Sequence, residues 1–96
     1  MAKRKSAFHP GEYIEEELFA RGWSQSDLAR IVGRPFQHVN LLVHGRRNVT
    51  LETAVELAGA FGTSVEVWLN LQARFDAVRA PKPDPKIARR AKAMAK

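Results

Sequence analysis

The sequence predicts an all-α domain of five short helices, and three observations carry that expectation. Apolar residues recur at three- and four-residue spacing from residue 10 to about residue 78. Capping residues or proline stand where helices would begin, and glycine where most would end. Nowhere does a sustained two-residue alternation of strand formers occur.

The first helix opens at Pro10, which loses nothing in a first turn by lacking an N–H. Tyr13, Ile14, Leu18 and Phe19 follow at helical spacing, Glu12, Glu15, Glu16 and Glu17 suit the positive end of the helix dipole, and Gly22 ends the element. Ser24 and Asp27 form a capping pair for the second helix, with Leu28, Ala29 and Val32 inward and Ile31 beside them. Gly33 lets the chain turn. The third helix is expected from about Pro35 to His44, with Val39, Leu42 and Val43 inward and Gly45 as a left-handed terminator. Thr50 caps the fourth, whose apolar face reads Leu51, Ala54, Leu57, Ala58 and Phe61 before Gly62 stops it. Thr63 or Ser64 caps the fifth, which carries Val67, Trp68, Leu71 and Phe75.

Beyond this body the pattern changes. PKPDP, residues 81 to 85, reads as a stiff extended spacer. KIARRAKAMAK, residues 86 to 96, has good helix formers but only a thin apolar stripe of Ile87, Ala91 and Met94. Such a segment is too short to hold a lone helix in water, so a flexible basic tail that orders on DNA, on a partner or not at all is expected. The division is therefore a basic N-terminal arm over 1–8, a folded domain over 9–79, and a Pro-rich spacer with a basic tail over 80–96.

The net charge of +6 is unevenly spread. Lys3, Arg4, Lys5, Lys82, Lys86, Arg89, Arg90, Lys92 and Lys96 against Asp84 give the ends +8 (nine minus one), and residues 6 to 80 carry −2 (seven minus nine). Attraction to a polyanion would come from the ends, as would simple solubility. A chain of 96 residues has room for one small core and none for a catalytic domain, and self-pairing would help it. Without cysteine there are no disulfides or thiolate metal sites. The charged start has no apolar stretch behind it, and no run is long enough to span a bilayer; a cytoplasmic protein with no membrane partner is expected.

The second and third helices form a helix-turn-helix, the shape of a DNA-reading unit. With Val39, Leu42 and Val43 inward, the outward set is Phe36, Gln37 and Asn40, with His38, Leu41 and His44 at its margin. Gln37 and Asn40 can each bond adenine with two prongs, or stand as solvated amides. Phe36 can meet a thymine methyl, fill a local gap or touch a protein. No arginine stands on this face for the common guanine contact. Arg46 and Arg47 follow the helix where a backbone strand would pass, and their forks suit phosphate; they also complement the helix dipole. Ser24 and Gln25 can meet phosphate at the start of the second helix, although capping alone explains Ser24. His9, His38 and His44 have no metal-site spacing, no glycine-rich phosphate loop occurs, and Ser24 with Asp27 is a cap; no enzyme, cofactor or metal is expected.

With those residues in place, the chain resembles the HigA family of antitoxins, a VapI-like branch of the Xre/Cro-type helix-turn-helix proteins. The resemblance covers roughly residues 8 to 78 and rests on HPGEYIEEEL (9–18), WSQSDLARIVG (23–33), VNLLVHGRRNVTLETAVELAGAFGTS (39–64) and VEVWLNLQARFD (65–76). It implies a five-helix lambda-repressor-like domain that dimerises with its fifth helix near the two-fold axis. It further implies repression of its own operon at double-stranded operator DNA and neutralisation of a HigB toxin, an mRNA-cleaving ribonuclease of the RelE type. The implied base-reading positions are Phe36, Gln37, His38, Asn40 and Leu41; the implied phosphate contacts are Ser24, Gln25, Arg46 and Arg47; Trp68, Leu71 and Phe75 fall to core and dimer packing. Three features depart from the family. Arg34 and Pro35 stand where a small apolar residue and a serine cap are usual, and Phe36 and Leu41 put apolar surface where polar readers are usual. The basic extension after Arg79 lies outside the resemblance. A stand-alone Xre-type regulator, or a protein-interaction module that has lost base reading, are the alternatives.

Overall fold

Helix α1 (Pro10–Arg21) starts where the ring of His9 takes the place of a serine cap, its Nδ1 accepting the Gly11 N–H at 2.9 Å. Gly11 is buried against the C-terminal end of the third helix: a Cβ there would lie 2.1 Å from the Leu42 carbonyl oxygen and 2.7 Å from that of Val43. Only glycine permits the two helices to approach so closely. Ile14 and Leu18 point into the core, whereas Phe19, expected with them, is 90% exposed. It stands five residues past Ile14, which turns it well away from that face.

The structure, a computed structural model, describes residues 8–95; Lys3, Arg4 and Lys5 of the expected N-terminal arm, and Lys96, lie outside the described residues. Helix α2 (Gln25–Val32) has the full capping box, with Asp27 N–H donating to Ser24 Oγ at 3.0 Å and Ser24 N–H donating to Asp27 Oδ2 at 2.8 Å. These bonds hold the Asp27 carboxyl below its ordinary pKa. Gly33 turns the chain at φ 73°, a left-handed conformation that costs other residues more. Helix α3 (Phe36–Val43) begins one residue later than expected, with Pro35 extended at the N-cap and no side-chain cap bond. Proline has no side-chain oxygen to offer, so the helix opens on its fixed φ and on the Pro35 carbonyl, which accepts the His38 N–H at 3.0 Å.

Helix α4 (Leu51–Phe61) is capped by Thr50, whose Oγ1 accepts the Thr53 N–H at 3.3 Å. Ala54, Leu57, Ala58 and Phe61 are buried as expected, but Leu51, at the first turn, is 63% exposed. Helix α5 (Val65–Arg79) takes Ser64 as its cap and buries Trp68 and Gln72, whereas Val67 of the same apolar set is 43% exposed. Trp68 closes the core, tilted against Phe61 at 5.8 Å between centroids, and Trp23 stacks on Phe61 at 6.0 Å. Its indole N–H donates to Thr63 Oγ1 at 2.7 Å, so the one polar atom of this large apolar group is satisfied.

The expectation of five helices and a flexible C-terminal tail does not hold. A sixth helix, α6 (Pro85–Met94), follows the spacer, so that the described residues form six helices and no strand. Asp84 caps it by accepting the Lys86 N–H at 2.9 Å, Pro85 sits at its first position, and the segment is rich in alanine, lysine and arginine. The thin apolar stripe argues against a helix here, but the start signal at Asp84-Pro85 and the helix-forming composition outweigh it. No residue of α6 is buried.

Candidate nucleic-acid interface

Helices α2 and α3 pack directly on each other, and the turn between them is fastened to α4. Arg34 donates to Glu56 Oε2 through Nε at 2.9 Å and Nη2 at 2.6 Å, and reaches Glu52 at 3.0 Å. These carboxylates, Glu56 foremost, raise the guanidinium pKa further. The apparent departure at Arg34 is thus a brace for the helix-turn-helix, engaged within the chain.

The outward side of α3 carries Phe36, 48% exposed, and Gln37, also exposed. Asn40 and Leu41 are half-buried. Asn40 Nδ2 donates to Gln25 Oε1 at 3.0 Å, so an amide from the start of α2 and one from the middle of α3 fix each other. Ser24 is spent in the capping box, as both its N–H and its hydroxyl bond Asp27. The first-turn N–H groups of α2 remain a positive helix end beside Gln25.

Past α3, Gly45 turns at φ 73° and Arg46 and Arg47 lie exposed. His44 Nδ1 bonds the Asn40 carbonyl at 2.8 Å, which closes the helix end. Arg47 Nη1 lies 2.6 Å from His38 Nδ1. The first turn of α3 and the loop beyond its last turn are thereby joined. Burial, then the charges of Arg47 and Arg34, hold the His38 pKa below its ordinary value.

Beneath this loop are three residues whose importance the sequence reading missed. Gly11 sets the distance between α1 and α3. Gln72, buried on α5, accepts the Val49 N–H at 2.7 Å and donates to Asp76 at 3.0 Å, anchoring the chain just after the arginines. His9 lies under Gly45 and meets Phe75 edge-on at 4.9 Å between centroids. Burial lowers its pKa against the opposing pull of Asn48, the Arg47 backbone, Asp76 and Glu12. A histidine directly before Pro-Gly at a helix start was the available signal; nothing in the α5 pattern marks Gln72 as buried.

On the expected dimer set, Trp68 is 2% exposed and has no surface to offer a second chain. Leu71 and Phe75 are half-buried, and the Arg79 guanidinium covers the Phe75 ring at 3.8 Å. The large apolar residues exposed in this part are Leu51 and Val55 on α4 and Val67 and Val78 on α5. Among the described residues, no group of three or more His, Cys, Asp or Glu could hold a metal ion, and no helix is long and apolar enough to cross a membrane.

Comparison with known proteins gives a consistent outcome. Residues 14–68 match the helix-turn-helix family. An addiction module antidote protein of a HigA family from Coxiella burnetii superposes with a TM-score of 0.75 at 34% identity, over 96% of this chain and 98% of that one. The Pseudomonas aeruginosa antitoxin HigA, solved with the higBA promoter, superposes with a TM-score of 0.74 at 26% identity, over 94% of this chain and 96% of that one. Virulence-associated protein I of Dichelobacter nodosus is 37% identical over 73% of this chain and 66% of its own length. The chain spans about two thirds or less of the curated relatives it matches first.

Proposed function

The chain belongs to the helix-turn-helix family, in its HigA-type branch of the Xre/Cro class, and from that premise we propose that it is a DNA-binding antitoxin that represses its own operon. The observation that carries the reading is the braced α2–α3 pair, which presents Phe36 and Gln37 outward with Arg46 and Arg47 at the end of the same helix. Gln37, Asn40, Phe36 and Leu41 meet base edges; Gln25, Arg46 and Arg47 meet phosphate. Two copies pair across a two-fold axis through exposed apolar residues of α4 and α5 together with Leu71 and Phe75. That pairing sets two recognition helices about 34 Å apart, one turn of DNA. Residues 9–79 are the DNA-binding and dimerisation unit, and the basic ends add attraction without sequence preference. The protein it neutralises is a small basic ribonuclease of the HigB type, and the pair works in the cytoplasm. The chain itself is no enzyme: the family to which it belongs binds and does not catalyse.

Two measurements test this. Footprinting on DNA upstream of the chain's own reading frame should show a palindrome with half-site centres about one turn apart. Co-expression with the product of the adjacent reading frame should rescue growth from that product. Binding equal on promoter and random DNA would favour a protein-interaction module, the reading to which exposed Phe36 lends support. Promoter binding without a toxic neighbour would leave a stand-alone regulator.

A further inference from the structure

We infer that His38 is a positioning residue for Arg47 and reads no base itself: its imidazole holds the Arg47 guanidinium at the end of α3, where it meets phosphate. The inference rests on the DNA-binding reading above. A guanidinium has only N–H groups to offer, so in the 2.6 Å contact it donates and His38 Nδ1 accepts. The ring proton then sits on Nε2, and the imidazole is neutral. Nε2 is itself shielded from solvent and bonds nothing among the described residues. One ring nitrogen is therefore occupied and the other covered, which leaves neither facing a groove. A base reader needs the opposite arrangement, with a free donor or acceptor at the exposed edge.

The surroundings keep the ring in that state. Burial first, then Arg47 from the loop and Arg34 from the turn, disfavour a proton on it, and the carboxylates of Glu56 and Glu52 on α4, which favour one, are engaged by Arg34. Arg46 makes no such contact through its side chain among the described residues and is held only by its backbone N–H on the Leu41 carbonyl at 2.8 Å. The two arginines are thus unequal: Arg47 is pre-placed and Arg46 adapts. A charged fork already held in position loses less freedom when it meets phosphate.

The test uses the full chain with His38→Ala, His38→Asn, Arg47→Ala and the double variant His38→Ala/Arg47→Ala. Asparagine puts an acceptor oxygen close to where Nδ1 stands. In the free protein, imidazole nitrogen NMR should show Nδ1 unprotonated, and the Arg47 side chain should be more ordered than that of Arg46. On promoter and random DNA alike, His38→Ala should lower the salt slope of binding by up to about one unit, as Arg47→Ala does. The double variant should lose no more than Arg47→Ala alone, and His38→Asn should keep the wild-type slope. A change in the ratio of promoter to random affinity with the slope intact would make His38 a base reader and overturn the inference. So would additive losses in the double variant, an Nδ1–H tautomer, or an Arg47 as mobile as Arg46. A wild-type protein that binds neither DNA, with the NMR signatures intact, would instead overturn the functional reading on which this use of the contact depends.

Discussion

Helices α5 and α6 stand at the same end of the chain and are held by different forces. Over 15 residues α5 buries Trp68 and Gln72 and is tied to the loop after α3; over 10 residues α6 buries nothing and rests on Asp84, Pro85 and its own composition. Tertiary burial makes α5 part of one cooperative unit. Local signals alone give α6 only the marginal stability of a short peptide helix. A helix in a structure is therefore two kinds of object, and substitutions separate them.

The largest expected effect is at Trp68. Trp68→Ala removes the plug between α4 and α5 and should cost about 3–5 kcal/mol of global stability. Urea denaturation followed by circular dichroism checks the loss. Backbone chemical shifts of residues 85–94 should not move, because α6 has no share in that core. Coupled loss of both helices would erase the distinction.

Gly11→Ala comes next, at about 2–3 kcal/mol, because the new methyl meets backbone carbonyls of α3 that cannot step aside alone. Gly59→Ala, inside α4 with nothing within 4 Å, is the control and should stabilise by about 0.5–1 kcal/mol. If the two variants shift the melting temperature in the same direction, the close α1–α3 contact is not what selects glycine. Gln72→Leu should cost about 1–3 kcal/mol, since the Val49 N–H would be left buried without its acceptor. Its signature is faster amide exchange at Val49, together with loosening of the loop that carries Arg46 and Arg47.

The body should also respond to pH where α6 should not. Burial lowers the His9 pKa beneath its ordinary 6.5, and the His38 pKa is lowered too. The unfolded chain then takes up protons first as pH falls, so folded stability is full above about 6.5 and declines below it. His9→Asn keeps a cap acceptor for Gly11 and should flatten that decline. A wild-type melting temperature that is level from pH 7.5 to 5.5 would contradict it.

Much of this was legible in the sequence because it is local. Capping pairs, glycine stops and the three- to four-residue apolar rhythm marked α1 to α5 and put Val39, Leu42 and Val43 inward. Leu51 and Phe19 do not join the core that their spacing suggests, because rhythm alone does not say where the core ends. The His38–Arg47 contact, the Gln72 anchor and the Arg34 brace span nine or more residues, and no local pattern encodes such pairings. The sixth helix was missed for the opposite reason. Its signals are local and present in Asp84-Pro85, but the segment lacks the apolar surface that ordinarily marks a stable helix.

The smallest effect tests that last point. Asp84→Ala removes the one side-chain cap of α6 and should cost the helix about 1 kcal/mol. For a helix without burial that is enough to shift its population visibly, so the Cα shifts of residues 86–94 should move toward coil values. The body should not register the change: its melting temperature should match wild type, as should that of a chain ending at residue 80. A helix that survived Asp84→Ala unchanged would be held by something other than its start signal, and a lowered melting temperature in either variant would place α6 against the body. Neither outcome is compatible with a helix that stands on its own ends.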